Sequence, residues 1–162
     1  MIIVFILYGV IVGSAVVVYA ADVKPMTARK QVFHAANGTQ CLDVRGDNAA
    51  QHATVRLANC HGKENQRWDF GPGTAGAVQV GGIGGLCLTM MSAPGAEGTQ
   101  LELLTCNGSV AQQFRFNVDG RIQEMSGKTC LTIGAPAPGV TAVVPAACDA
   151  ANATQVWTVA GQ

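Results

Sequence analysis

The sequence carries no excess of charge. Ten basic residues balance ten acidic ones, and charged residues make up only 12% of the chain. Nucleic acid or an anionic membrane surface needs a one-signed electrostatic footprint, so nucleic acid is excluded and the expected partner is uncharged or met through polar groups. Catalytic side chains are also scarce. Only three histidines and four serines are present, one of those serines lies in an apolar leader, and neither G-x-S-x-G nor H-E-x-x-H occurs. Gly81-Gly82-Ile83-Gly84-Gly85 precedes a strand-like run carrying Cys87 and opens no helix, so it reads as a turn and not as a phosphate loop. The acidic residues are few and scattered. Neither an enzyme nor a cofactor is expected. Close cysteine pairs of the C-x2-C kind are missing too, and no metal site is expected.

Apolar residues are plentiful where charge is absent. From Ile2 to Ala21 the chain has no charge and is rich in Ile, Val, Leu and Phe, long enough to cross a bilayer as a helix. Two readings stand. As a secretory signal it would be cleaved before Ala21, after the small residues Val18 and Ala20; as an anchor it would remain, and residues 2–21 would meet the membrane. Lys24, Arg29 and Lys30 follow the run, which by the charge rule favours a cytoplasmic carboxyl side. The cysteines argue the opposite. Residues 22–31 read as a short polar linker, and the globular part is expected from Val32 to Gln162, one domain for a chain of 162 residues.

Within that domain the chain repeats itself. Cys41-Leu42-Asp43 leads through eighteen residues to Cys60 and on to Gln66-Arg67-Trp68. Cys87-Leu88-Thr89 leads through eighteen to Cys106 and Gln112-Gln113-Phe114, and Cys130-Leu131-Thr132 through seventeen to Cys148 and Gln155-Val156-Trp157. The copies are offset by 46 and then 43 residues, so one supersecondary unit occurs three times. Six cysteines allow fifteen connectivities, and the repeat makes Cys41 with Cys60, Cys87 with Cys106 and Cys130 with Cys148 the simplest. Each such loop contributes roughly 3 kcal/mol on a chain-entropy account. Disulfides of this kind belong to an oxidising compartment, so the domain is expected to be secreted, periplasmic or extracellular.

Short apolar runs such as 55–58, 100–104, 142–144 and 157–159 are separated by Gly, Pro, Asn and Asp without helical periodicity, an all-β pattern. Asp119-Gly120 predicts a two-residue hairpin turn with positive φ angles, and Gly71-Pro72-Gly73-Thr74 is its counterpart one copy earlier. Proline-containing loops at 92–98 and 134–139 correspond to 45–50 in copy one. Three copies of about four strands bury their apolar faces only together, closed about a pseudo-threefold axis. The sequons at Asn37, Asn107 and Asn152 lie in loops and matter only in a eukaryotic secretory pathway.

The C-L-D/T opening, the paired cysteines and the closing Q-x-W, recurring in order over residues 32–162, resemble the ricin B-type lectin family. The resemblance implies a β-trefoil, with Trp68, Phe114 and Trp157 as core rings meeting near the axis. It also implies one shallow sugar pocket per copy, built from an acidic residue after the first cysteine, an aromatic platform two before the second, and Asn-Gln opening the Q-x-W. Copy one has Asp43, Asn65 and Gln66, but Ala58 at the platform. Copy two offers Thr89, Leu104 and Ala111; copy three offers Thr132, Ala146 and Thr154. At most one sugar site is therefore expected, and without its platform about millimolar affinity, about 4 kcal/mol. His52 is a candidate to lend an imidazole face there, and Asp43 has an alternative role as a turn cap. His61 reads as an exposed loop residue. The expected function is an extracytoplasmic lectin-like module. The other reading is a membrane-anchored structural or accessory subunit whose trefoil contacts protein partners and no longer binds sugar.

Overall fold

The computed structural model describes residues 28–92, 100–125, 128–134 and 141–161. The apolar segment 1–21, residues 22–27 of the expected linker and most of the two proline loops lie outside the described residues. Copy one comprises β1 (Ala28–Ala35), β2 (Gln40–Val44), β3 (Ala53–Asn59) and β4 (Trp68–Pro72). Copy two comprises β5 (Val78–Gly81), β6 (Cys87–Met90), β7 (Leu101–Leu104) and β8 (Gln113–Phe116). Copy three comprises β9 (Ile122–Glu124), β10 (Thr129–Ile133), β11 (Val143–Ala147) and β12 (Trp157–Gly161). The first strand thus starts at Ala28, four residues ahead of the expected boundary, because Ala28 pairs with Phe70 across to β4.

The outer strands of each copy form the barrel. β1 pairs with β12 and β4, β4 with β5, β5 with β8, and β8 with β9, while an Arg121–Val156 bridge brings the third copy's ends together. The inner strands form the hairpins β2–β3, β6–β7 and β10–β11. These hairpins meet one another at Ala53–Leu103 and Leu57–Thr141. The result is an all-β trefoil, with the three disulfides closing within their own copies.

One cluster fills the interior. Leu42, Leu88 and Leu131, each next to the first cysteine of its copy, are 0–1% exposed, and Trp68, Phe114 and Trp157 are 0–3% exposed. Trp68 Nε1 donates to Leu42 O at 3.3 Å and Trp157 Nε1 to Leu131 O at 3.0 Å; Phe114 fills the corresponding place without that bond. Among the described residues, ring-to-ring contact does not join these three to each other. Phe33 instead packs on Trp68, Phe70 and Phe116, with Phe70 on Phe116 at 5.0 Å between centroids. The barrel strands β1, β4 and β8 supply this aromatic layer, which the Q-x-W spacing does not reveal.

Two glycines fix how the copies join. The β8–β9 hairpin closes through Asn117 N to Arg121 O, and only Gly120, at φ +84°, lies in the left-handed region. The loop is therefore a three-residue turn ending in a glycine bulge, not the two-residue turn that Asp119-Gly120 suggested, since Asp119 keeps a negative φ. A Cβ on Gly82, just after β5, would stand 2.9 Å from the Trp68 ring of copy one and 3.0 Å from Leu103 of copy two, so the chain passes between the two only because no side chain intervenes.

Candidate functional site

The β2–β3 hairpin sets the site. Its register places Asp43 opposite Arg56, and alternation along β3 turns Val55 and Leu57 inward while Arg56 and Ala58 face the other way. After β3 the chain passes Cys60 and makes a 3-10 turn at Glu64–Gln66 before entering the core at Trp68. Gln66 holds that turn in place. Its Nε2 donates to Asp43 Oδ2 at 2.9 Å and to Asn59 O at 2.9 Å, and its Oε1 accepts from the peptide N–H of His61 and Gly62. Every polar atom of this buried side chain is thereby used within the protein.

Asp43 is 2% exposed. Its Oδ2 accepts from Asn65 Nδ2 at 3.0 Å and from Gln66 Nε2, and His61 Nε2 stands 3.3 Å away. The Lys63 N–H donates to His61 Nδ1, which fixes the ring with its Nε2 edge toward the carboxylate. Oδ1 is left with Arg56 Nε at 3.9 Å, too long for a hydrogen bond. Burial is the largest influence on the Asp43 carboxyl and pushes it above the ordinary value near 3.8. The Gln66 hydrogen bond, then His61 and Arg56, pull in the other direction, while Asp47 adds to the rise. Among the described residues, the hydrogen bonds to this carboxylate all fall on Oδ2.

A cavity of about 370 Å³ opens over it, lined by Asp43, Asp47, Arg56, Ala58, His61 and Asn65 among others. Ala58 occupies the expected platform position and presents only a methyl group. A larger cleft of about 620 Å³ runs past Asp69, Gln79 and the Cys87–Cys106 bridge, where Asp69 and Gln79 are the charged and amide side chains among the described lining residues. His52 is placed away from the site. It does not line the cavity over Asp43, and its Nδ1 meets Glu102 Oε2 of copy two at 2.9 Å, because its φ of +64° turns the loop toward β7.

Sequence reasoning passed over His61 and Arg56. Arg56 was available by counting the hairpin register back from Cys60. His61 was harder to find, since it looks like any exposed loop residue until the Gln66 Oε1 bond to its peptide is known.

Copies two and three repeat the frame with threonine in place of Asp43. Gln112 bonds Thr89 Oγ1, Thr105 O and Asn107 N; Gln155 bonds Thr132 Oγ1, Ala147 O and Asp149 N. The threonine hydroxyls donate onward to Cys87 O and Cys130 O, so each circuit is closed.

Three disulfide-closed copies with this buried glutamine circuit define a lectin-type β-trefoil. The chain belongs to the ricin-type beta-trefoil lectin domain family, whose model matches residues 75–162. Among curated proteins none matches it. Similar solved structures include the designed threefold-symmetric protein ThreeFoil, 19% identical with a TM-score of 0.68, covering 80% of this chain and 96% of that one. The Polyporus squamosus lectin bound to a Neu5Ac-containing epitope is 17% identical, with a TM-score of 0.65 over 82% of this chain and 49% of its own. A non-toxic homologue of type II RIPs from bitter gourd, Momordica charantia, in complex with α-methyl-D-galactoside is also 17% identical, with a TM-score of 0.61 over 80% and 46%. This chain spans only 17% of a mosquitocidal holotoxin with the same fold.

Proposed function

We propose that the chain is an extracytoplasmic carbohydrate-binding module without enzymatic activity, and that its one sugar site lies over Asp43. The observation that carries this reading is the Asp43 carboxylate, buried yet open on Oδ1 beneath a cavity, where the other copies have threonine. In this reading Oδ1 accepts a sugar hydroxyl, His61 and Asn65 supply polar contact beside it, and Gln66 orients the carboxylate without touching the ligand. Among the described residues Asn65 Oδ1 is buried without a partner, a cost that a hydroxyl donor reaching it removes. Two structural neighbours are described with bound sugars, which supports the ligand class, and three disulfides support an oxidising compartment.

Ala58 favours a second reading, the membrane-anchored accessory subunit, because a pocket without a ring loses the apolar face on which a pyranose packs. A glycan and polysaccharide panel separates the two. Binding competed by free sugar, abolished by Asp43→Ala and unchanged by Thr89→Ala, is the expected result. A folded protein that binds nothing on the panel would leave the accessory reading.

A further inference from the structure

The first disulfide differs from the other two in what lies beside it. His34 of β1 pairs with Cys41 of β2, and its Nδ1 sits 3.5 Å from the Cys41 sulfur and 3.6 Å from the Cys60 sulfur. The same register holds Gly81 against Cys87 in copy two and Gln123 against Cys130 in copy three. Among the described residues, the His34 ring makes no hydrogen bond with any other side chain. Its ring nitrogen and the two sulfurs lie within 4.8 Å of one another, the one group of that kind among the described residues.

We infer that Cys41, Cys60 and His34 form a zinc site whenever the Cys41–Cys60 bond is reduced. A tetrahedral zinc with Zn–S of about 2.3 Å and Zn–N of about 2.0 Å requires N to S edges of about 3.5 Å. Both of those edges already exist in the oxidised fold, so only the sulfurs must part, from bonding contact to about 3.8 Å. Half-buried His34 and Cys60 leave a way in for the ion, while Cys41 is fixed in the core. The chemistry balances with a dithiol reductant. The reductant delivers two electrons and two protons to the disulfide and is itself oxidised to a disulfide; zinc then displaces the two thiol protons. Two thiolates and a neutral imidazole suit zinc and leave its fourth position for water. The ion then ties the ends of the same loop that the disulfide had closed. No close cysteine pair announces this site, because the third ligand comes from a neighbouring strand.

The test uses the full-length chain, reduced with a phosphine and titrated with zinc alone. The expected result is one zinc retained per chain, with Cys41 and Cys60 shielded from alkylation while the other four cysteines react. In His34→Ala the retained zinc should fall at least tenfold and the shielding of both cysteines should disappear. Cobalt in place of zinc should give thiolate charge-transfer absorption in the parent chain, absent from His34→Ala. Three outcomes overturn the inference: no zinc retained, equal retention by His34→Ala, or zinc shielding a different cysteine pair. A reduced chain that unfolds and is not restored by zinc overturns it as well.

Discussion

Copy one and its two siblings share a frame and differ most plainly in the polar residue that meets the buried glutamine. In copies two and three, threonine accepts from the buried glutamine and passes its own proton to a cysteine carbonyl, so nothing is left over. In copy one, Asp43 takes the same glutamine bond but has no proton to pass on, and burial works against its charge. The threonine copies show that the fold does not need a carboxylate here. A carboxylate here is the feature on which the proposed sugar site rests, and it comes at a cost, since a buried charge lowers stability unless its partners offset it.

The shared frame should break equally wherever it is cut. Trp68→Ala and Phe114→Ala each remove a fully buried ring and should lower the unfolding free energy by about 3–5 kcal/mol. Denaturant titration of the two variants should agree within about 1 kcal/mol, about the spread expected from local repacking. A large gap between them would mean that the copies do not contribute alike to one core.

The glutamines should separate the copies. Gln112→Ala strands one hydroxyl and two peptide groups, a loss of about 1–3 kcal/mol. Gln66→Ala strands the matching peptide groups and also strips a donor from a charged oxygen, so it should cost more than Gln112→Ala. It should also raise the Asp43 pKa further, readable by following that carboxyl through an NMR titration. Equal losses and an unmoved titration would mean that Gln66 does not support the carboxylate.

Much of the frame was legible in the sequence because its causes are local. Leu42, Leu88 and Leu131 beside their cysteines, and Trp68, Phe114 and Trp157 at fixed distance from them, report one unit folded three times. The site was legible only in part. Asp43 and Asn65 stood out by type and position, but Gln66 is the same residue type whether it faces ligand or loop, and its closed hydrogen bonding appears only in three dimensions. Arg56 and His34 reach their neighbours through strand register, which motif spacing does not contain. His52 is placed toward Glu102 for the converse reason: closeness in sequence to the cavity says nothing about direction when the backbone turns through positive φ.

Making copy one resemble the others at position 43 isolates the charge. The Asp43 pKa is raised by folding, so the folded chain holds that proton more tightly than the unfolded chain does. Above the folded value the carboxylate is charged in both states and its burial cost is fully present; as pH falls through that value toward 3.8 the cost is relieved. Asp43→Asn should therefore stabilise the protein at neutral pH, on the order of 1 kcal/mol, with the gain shrinking as pH falls, while sugar binding weakens. Thermal melts across pH on parent and variant check the sign. A variant less stable than the parent at neutral pH would show that the partners of Asp43 outweigh its desolvation.

The smallest effect belongs to the residue that joins the copies without serving either. His52 and Glu102 pair across the β3–β7 contact, with the His52 side chain 69% exposed, so solvent screens most of their attraction. Asparagine tolerates the left-handed backbone at this position, so His52→Asn removes the imidazole with little added strain. The change should shift stability by less than about 0.5 kcal/mol and leave sugar affinity within about twofold, which is about 0.4 kcal/mol. A drop in affinity as large as that from Asp43→Ala would bring the loop back over the cavity and make copy one's site wider than its hairpin. An unchanged affinity confines recognition to the ground between Asp43 and Asn65, where copy one alone departs from the shared frame.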